Sequence, residues 1–587
     1  MHRRLEILKN KIDICLAPFS FPGSRLLLQK HAERDSLYIR LAERLVSIFP
    51  GIESYLSRDP YIDDLIFIDE QSQPLDFKII TYPHLIIFKT RLGNFQIMFD
   101  DIETIIICLP NHQECGIKFK MQADNWHSFE NKVTIHSYRD LTYLTNATIY
   151  TNQITRKNSQ CKVEFKVLTG TDSIIQLTTN STDSKISASS VNPQLLKTKA
   201  EEGWLYWLKK IPDTVNEKYK EKYFYAWWVL LNNMLSPREN ITHEMLVPSK
   251  KSYIGVWLWD NAFHAIALRH LDPDLARNQI RGVIAHQLPN GMLPDAIFDD
   301  GIVYEIDHPF KNYVTKPPIL AWAALKIHEI KPDNNFLEEI YEPLVKWNTW
   351  WFTHNGSDEE GIVQYNHPYS SGMDDHPTWD FPFPIKSPDI NAYLVVQMQS
   401  LAKISEIINK KPEAAAWQNK SNILQEKIID YFWDEVEGSF RVFHDQQQIH
   451  VSSVLNLFPI ISGGLGHCIN QSILDHLNDP AEFGGEFIIP TVARNDPKFS
   501  PDSMWRGPVW VNINYLFIEA LIQLDKIEFA EMLIKKTLDI INDNDGIYEY
   551  YNATTGKPGM KAAVSFSWTA AVFIDLVIRF SNQRSIN

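Results

Sequence analysis

The sequence predicts a multidomain protein: a β-rich, sandwich-like N-terminal domain over residues 1–195, then an (α/α)6 toroid of helix pairs over residues 196–587. Three observations predict it. The chain has 587 residues, more than one ordinary hydrophobic core serves. Its hydrophobic period changes near residue 197. Its tryptophans follow the same division: of 17, only Trp126 lies before residue 200.

The first part holds short, β-branched runs bounded by turn residues: LIIFKT (85–90), FQIMFD (95–100), TIIICL (104–109), VTIHSY (133–138) and KVEFKVL (162–168). These read as strands. An early helix is expected around residues 35–48, and the polar stretch TTNSTDSKISASSVNPQ (178–194) reads as a loop near a domain edge. In the second part, runs such as YFYAWWVLLNNML (223–235), INAYLVVQMQSLAKISEII (390–408) and SFSWTAAVFIDLVIRF (565–580) repeat apolar residues at every third or fourth position. Eleven or twelve such helices are countable, enough for six pairs. Long irregular connections separate them and carry the Trp, Asp, Glu, Gly, Pro and His. A plain helical repeat would have shorter, more uniform connections.

Hydrophobic residues make up 44% and charged residues 22%, a globular balance that excludes disorder. The formal net charge of -15, with no Lys/Arg cluster, argues against a nucleic-acid partner. No apolar run reaches 18 residues, so no membrane partner is expected. MHRRLEILKNKIDICLAPFSFPG is interrupted by Lys, Asn and Asp and makes a poor signal peptide. The five cysteines, Cys15, Cys108, Cys115, Cys161 and Cys468, fit no metal spacing and read as free thiols of a cytoplasmic protein. Oligomeric state is not legible.

Three connections carry candidate chemistry. In GVWLWDNAFHA (255–265), Trp257 and Trp259 precede Asp260 and an apolar helix. Two indoles beside a carboxylate suit a pyranose, which stacks by its apolar face and donates hydroxyl hydrogens. Asp260 as a helix N-cap, and the Trp pair as core, are the plain alternatives. NHPYSSGMDDHPTWD (366–380) holds Asp374, Asp375, Asp380, His367, His376 and Trp379. One of its carboxyls, kept protonated by burial or a like-charged neighbour, is a candidate acid. A metal site is the rival use, but neither the zincin nor the EF-hand spacing is present. In DNDGIYEYYNATTG (543–556), Glu549 sits among three tyrosines whose hydroxyls can orient a carboxylate and a water; an exposed hairpin Glu is the alternative. Two further stretches matter: QLPNGMLPDA (287–296) with Asp295, and DSMWRGPVW (502–510) with Trp505, Arg506 and Trp510. Arg506 either reads hydroxyls through its planar fork or pairs with an acid. Signatures for dinucleotide, ATP and serine-esterase chemistry are lacking. No cofactor and no metal are expected, and aromatics mixed with isolated carboxylates suit a small carbohydrate substrate.

Several ordered motifs, WLWDNAFHA, QLPNGMLPDA, TKPPILAWA, SGMDDHPTWD, FWDEVEGSF, PTVARNDPKFSPDSMWRGPVW, YEYYNATTG and FSWTAA, together resemble glycoside hydrolase family 63 over residues 250–580. That group contains processing and bacterial α-glucosidases and mannosylglycerate or glucosylglycerate hydrolases. The resemblance implies an (α/α)6 barrel that inverts configuration without a metal. It puts the general acid at Asp374, with Asp375 the adjacent rival, and the general base at Glu549. It puts Trp259 and Asp260 in the sugar subsite and Trp379, Trp505 and Arg506 around the pocket. Ser371 stands where many relatives carry Glu. The expected function is exo-acting release of a terminal α-linked glucose from an oligosaccharide or disaccharide. The alternatives are hydrolysis of a small α-glycoside, such as mannosylglycerate, glucosylglycerate or trehalose, and a non-catalytic carbohydrate-binding protein. The large N-terminal domain favours the oligosaccharide. The two carboxyls are expected about 6.5–9.5 Å apart, room for the attacking water. The long insert 289–316 and the β-rich domain are expected to wall the site.

Overall fold

A computed structural model describes residues 2–43, 58–180, 192–356 and 361–580. The chain divides into two compact units: residues 1–211 with 231–236 and 250–254, and residues 212–230, 237–249 and 255–587.

Unit 1 is an antiparallel sandwich. One sheet orders Leu26–Lys30, Leu37–Leu41, Ile62–Ile68, Glu114–Gln122, Gln160–Leu168 and Thr148–Lys157. The other orders Lys78–Thr81, Ile86–Thr90, Gly93–Asp101, Thr104–Cys108, Ile174–Thr178, Leu141–Thr145, Lys132–His136 and Asn125–Phe129. Aromatic rings join their inner faces: Phe67 stacks on Phe95 with centroids 4.3 Å apart, and Tyr143 meets Phe165 edge-on at 5.1 Å. All five strand runs quoted above fall on strands. The early helix does not form where 35–48 is described. Leu37–Leu41 is a strand, because Leu37, Ile39 and Leu41 are buried while Tyr38 and Arg40 are not, a period of two. Residues 44–48, and 181–191 of the expected loop, lie outside the described residues. Helix α1 is His2–Ile7, and α2 (Pro193–Leu208), capped by the Asn192 side chain, belongs to this unit.

Unit 2 is the toroid. Its helices are α3 (Lys220–Asn232), α4 (Leu258–Leu268), α5 (Pro273–Ile284), α6 (Leu320–Ile330), α7 (Asn334–Asn355), α8 (Pro388–Ile407), α9 (Lys411–Phe432), α10 (His467–Asn478), α11 (Val511–Gln523), α12 (Ile527–Asn542) and α13 (Ser567–Phe580). The inner ring closes through α4, α6, α8, the 3-10 segment Phe458–Ser462, α11 and α13, with α13 back against α4. Outer and inner elements alternate along the chain, so one short 3-10 segment completes the twelve. Burial separates the two rings physically. Every residue of α4 is buried, as an inner helix requires, whereas α5 keeps a polar outer face.

Alternation also fixes where chemistry sits. The chain enters each inner helix from the same end, so the connections before α4, α6, α8, α11 and α13 converge there. These connections carry the Trp and carboxylate motifs. Short β segments brace them: Val256–Trp257 pairs with Ala296–Phe298, which pairs with Gly301–Val303. The expected wall at 289–316 is therefore a pair of hairpins, the second joining Glu305–Ile306 to Asn312–Tyr313. Among the described residues, no helix is long and apolar enough to cross a membrane. All five cysteines are free.

Candidate functional site

Asp260 lies in the first turn of α4; the N-cap position is Trp257, which makes no side-chain cap bond. Asp260 is thus not the cap. It is 4% exposed, and burial drives its carboxyl well above the usual range, opposed by Lys316 and reinforced by Glu549 and Asp295. Those four charged groups come from the first turn of α4, the connection between α5 and α6, and the connection before α13, so the fold has gathered them.

Lys316, from the TKPP turn before α6, is the centre of the gathering. Its Nζ lies 3.0 Å from Asp295 Oδ1 and 3.6 Å from Asp374 Oδ1, and donates to Tyr369 O at 2.6 Å. Burial alone would lower this ammonium; Asp295 and Asp374 outweigh it and hold the pKa above the usual value. Asp295 is 2% exposed, and burial raises its carboxyl against the pull of Lys316. Asp374 differs, because its side chain keeps 37% exposure although protein crowds around it. Crowding pushes its pKa up to about 6, with Lys316 opposing and Asp295 assisting.

Asp375 faces another way. Its Oδ1 accepts the Trp505 N–H at 2.9 Å, and its backbone carbonyl accepts Arg506 Nη1 at 2.9 Å. Arg506 spends its fork on Asp380, with bonds of 3.0 and 2.6 Å, and Lys498 adds 3.1 Å to the same carboxylate. The hydrogen bond from Arg506 is what holds Asp380 below the usual range. Of the two readings of Arg506, pairing with an acid is the one observed. Asp375 and Arg506 together tie the loop 371–380 to the connection before α11.

Glu549 is 4% exposed; its Oε2 accepts the Ala563 N–H at 3.0 Å, and its own N–H donates to Ala563 O at 2.9 Å. It is therefore no exposed hairpin residue. Its tyrosine neighbours have other work: the Tyr548 hydroxyl donates to Asp545 at 2.8 Å, and the Tyr550 ring stacks on Trp510 at 4.9 Å.

The aromatic residues separate into two kinds. Trp259 and Trp505 are 3% and 2% exposed and belong to a closed cluster with Trp510 and Trp568. Trp505 and Trp510 stack face to face at 3.5 Å. Trp257 and Trp379 are only half-buried. Trp257 meets Phe298 edge-on at 5.7 Å. Trp379 donates from Nε1 to Met373 O at 2.7 Å and borders a cavity of about 540 Å³ with Phe310, Phe383 and Pro384. Surface for stacking a sugar is thus greater at Trp257 and Trp379 than at Trp259.

Gly372 explains the rigidity of the loop bearing Asp374. It has φ +75°, and a Cβ there would lie 2.5 Å from the Trp259 ring. Ser371, where many relatives carry Glu, closes the turn locally: its hydroxyl donates to Pro368 O at 2.6 Å and accepts the Met373 N–H at 2.9 Å. Gly372→Ala is expected to cost about 2–4 kcal/mol, combining left-handed strain with displacement of a packed indole. Thermal melts against wild type check it, and an unchanged melting temperature contradicts the contact.

Lys316 is the residue the sequence reading missed, along with Trp568 as a member of the aromatic cluster. A lysine followed by two prolines before the apolar run 319–325 was the available signal. A separate cavity of about 300 Å³, lined by Trp322, Lys326, Gln399, Glu519 and Arg579, opens at the far end of the inner helices. Glu519 pairs with two of the cations there, Lys326 at 2.6 Å and Arg579 at 2.7 Å. Among the described residues, His31, Asp63 and Asp64 of unit 1 form a group with metal-ligand spacing, but Arg34 and Lys120 already pair with its carboxylates.

Residues 253–569 match the family model of the mannosylglycerate hydrolase MGH1-like glycoside hydrolase domain. A mannosylglycerate hydrolase of Rubrobacter radiotolerans is 23% identical over 58% of this chain and 94% of its own. A glucosylglycerate hydrolase of Mycolicibacterium hassiacum is 23% identical over 58% of this chain and 95% of its own. A bacterial glucoamylase solved with acarbose has a similar fold, with a TM-score of 0.61 and 13% identity over 96% of this chain and 94% of its own.

Proposed function

The chain belongs to the mannosylglycerate hydrolase MGH1-like glycoside hydrolase family, and from that premise we propose that it removes one terminal α-linked hexose from a small α-glycoside, glycosylglycerates foremost. As a family 63 enzyme it is an inverting α-glycosidase. The observation that carries the substrate reading is the pair of relatives named for mannosylglycerate and glucosylglycerate, each matched over nearly its whole length. This replaces the expectation of an oligosaccharide substrate, which rested on the extra N-terminal unit.

We assign Asp374 as general acid and Glu549 as general base. Breaking a glycosidic bond leaves an alkoxide, a poor leaving group unless protonated as it departs. Asp374 suits the donor: its side chain keeps 37% exposure, it is not held by an arginine fork as Asp380 is, and its pKa is pushed up to about 6. Asp375 is committed to the Trp505 N–H, which argues against the rival assignment. Glu549, held by the Ala563 N–H, takes a proton from the water attacking on the opposite face. Asp260 would accept sugar hydroxyls, and Trp257 would cover an apolar ring face.

A free acid with pKa about 6 must be protonated to work, so kcat/KM falls as pH rises through about 6, tenfold per unit beyond it. A flat profile between pH 6 and 8 contradicts the assignment.

A glycerate carboxylate brings its own charge, and the nearby cations are engaged: Lys316 by Asp295 and Asp374, Arg506 by Asp380. An acidic aglycone therefore shares a cation already paired. The test is a screen of mannosylglycerate, glucosylglycerate, trehalose, maltose and maltotetraose, with proton NMR of the first-formed sugar. The proposal expects highest kcat/KM on a glycosylglycerate and release of the β-anomer. Preference for maltotetraose sinks the small-substrate reading.

A further inference from the structure

We propose that Lys316 and Asp295 form a charge couple that sets the proton affinity of Asp374, Lys316 lowering it and Asp295 restraining Lys316. This deepens the assignment of Asp374 as general acid and rests on it.

The geometry is specific. Lys316 Nζ stands between two carboxylates, 3.0 Å from Asp295 and 3.6 Å from Asp374. It is 4% exposed, and Tyr369 O fixes its direction at 2.6 Å. Two prolines, Pro317 and Pro318, follow it and stiffen the backbone that carries it. Asp295 is anchored as well, its N–H on Val303 O and its carbonyl accepting the Leu258 N–H. So neither member swings away, and the couple is part of the scaffold.

The consequence follows from charge. Asp374 begins the reaction neutral and ends it as a carboxylate. Lys316 stabilises only the ionised form, so it makes Asp374 a stronger acid than burial alone would leave. Without Asp295, the full charge of Lys316 would act on Asp374 and ionise it too early. The other charges nearby are Asp260 of α4, which acts on Lys316, Glu549, which acts on Asp260, and Asp375 with Arg506 beside the loop. Lys316 is the cation that touches Asp374 among the described residues, and Asp295 is its closer partner.

The two members predict opposite displacements, which a structural role would not. Lys316→Met removes the cation, so the alkaline limb of kcat/KM moves to higher pH, by roughly 1–2 units. Asp295→Asn frees the cation, so the limb moves to lower pH, by roughly one unit. Lys316→Arg restores the charge and brings the limb back toward wild type. The double variant Lys316→Met/Asp295→Asn, which removes both members of the ion pair together, checks folding by circular dichroism and is expected to resemble Lys316→Met in its limb. Shifts in the same direction, or no shift in folded variants, overturn the couple. If Asp374→Asn is fully active, the acid assignment itself has failed; if it is inactive while the limbs stay put, only the couple has.

Discussion

Asp374→Asn is expected to lower turnover on an unactivated α-glycoside by ~10²–10⁴-fold, the range of a general acid's contribution. The amide fills the same space but has no proton to deliver to the leaving oxygen. Folding should survive, because Lys316 keeps Asp295 at 3.0 Å and Tyr369 O at 2.6 Å when the third partner becomes neutral. Glu549→Gln is expected to lose as much by a different route, since no group then activates water. Steady-state kinetics with circular dichroism checks both. Near-normal turnover in either variant would mean that another carboxylate does the work. Asp389 also has a pKa pushed up to about 6 by burial, but it is fully buried and accepts from the Tyr365 hydroxyl at 2.7 Å, so it has no access to substrate.

Asp575→Asn is expected to be the most destabilising single change at the far end of the barrel, by about 3–5 kcal/mol. Asp575 on α13 is 0% exposed. Its Oδ1 meets Arg269 Nη2 and His270 Nε2, each at 2.8 Å, and its Oδ2 accepts from the Tyr515 hydroxyl at 2.7 Å and Arg579 at 3.0 Å. Burial alone would raise this carboxyl. The His270 hydrogen bond and the charges of Arg269 and Arg579 overcome burial and hold it well below the usual range. The sign follows: a depressed folded pKa gives stability that is complete above the unfolded value near 3.9 and declines as pH falls below it. The asparagine variant loses that stability at pH 7 and takes from Arg269, itself 2% exposed, its closer carboxylate, leaving the longer 3.5 Å contact with Glu329. Urea unfolding at pH 7 measures the difference, and a loss under about 1 kcal/mol contradicts the network.

How much of this was legible depended on the range of the interaction. Periodicity exposed the strands of unit 1 and the helices of unit 2, because burial on one face writes a local pattern. It misled at Leu37–Leu41, where a five-residue strand occupies part of the stretch expected to be helical. It also could not show that one inner position is the 3-10 segment Phe458–Ser462. Motifs named Asp374, Glu549 and Asp260, but not how far each is covered. Trp259 illustrates this: next to Asp260 in sequence, it is closed off by Trp505 and Trp568, a contact between connections hundreds of residues apart. Lys316 escaped notice for the same reason, since its meaning comes from Asp295 and Asp374, and neither is its neighbour in the chain.

The most direct measurement gives both variants a substrate whose leaving group needs no proton, an α-glycosyl fluoride of mannose and of glucose, and follows fluoride release. If Asp374 is the acid and Glu549 the base, Asp374→Asn recovers most of its lost rate on the fluoride while Glu549→Gln stays inactive. Equal recovery by the two variants, or recovery by Glu549→Gln alone, would contradict the assignment.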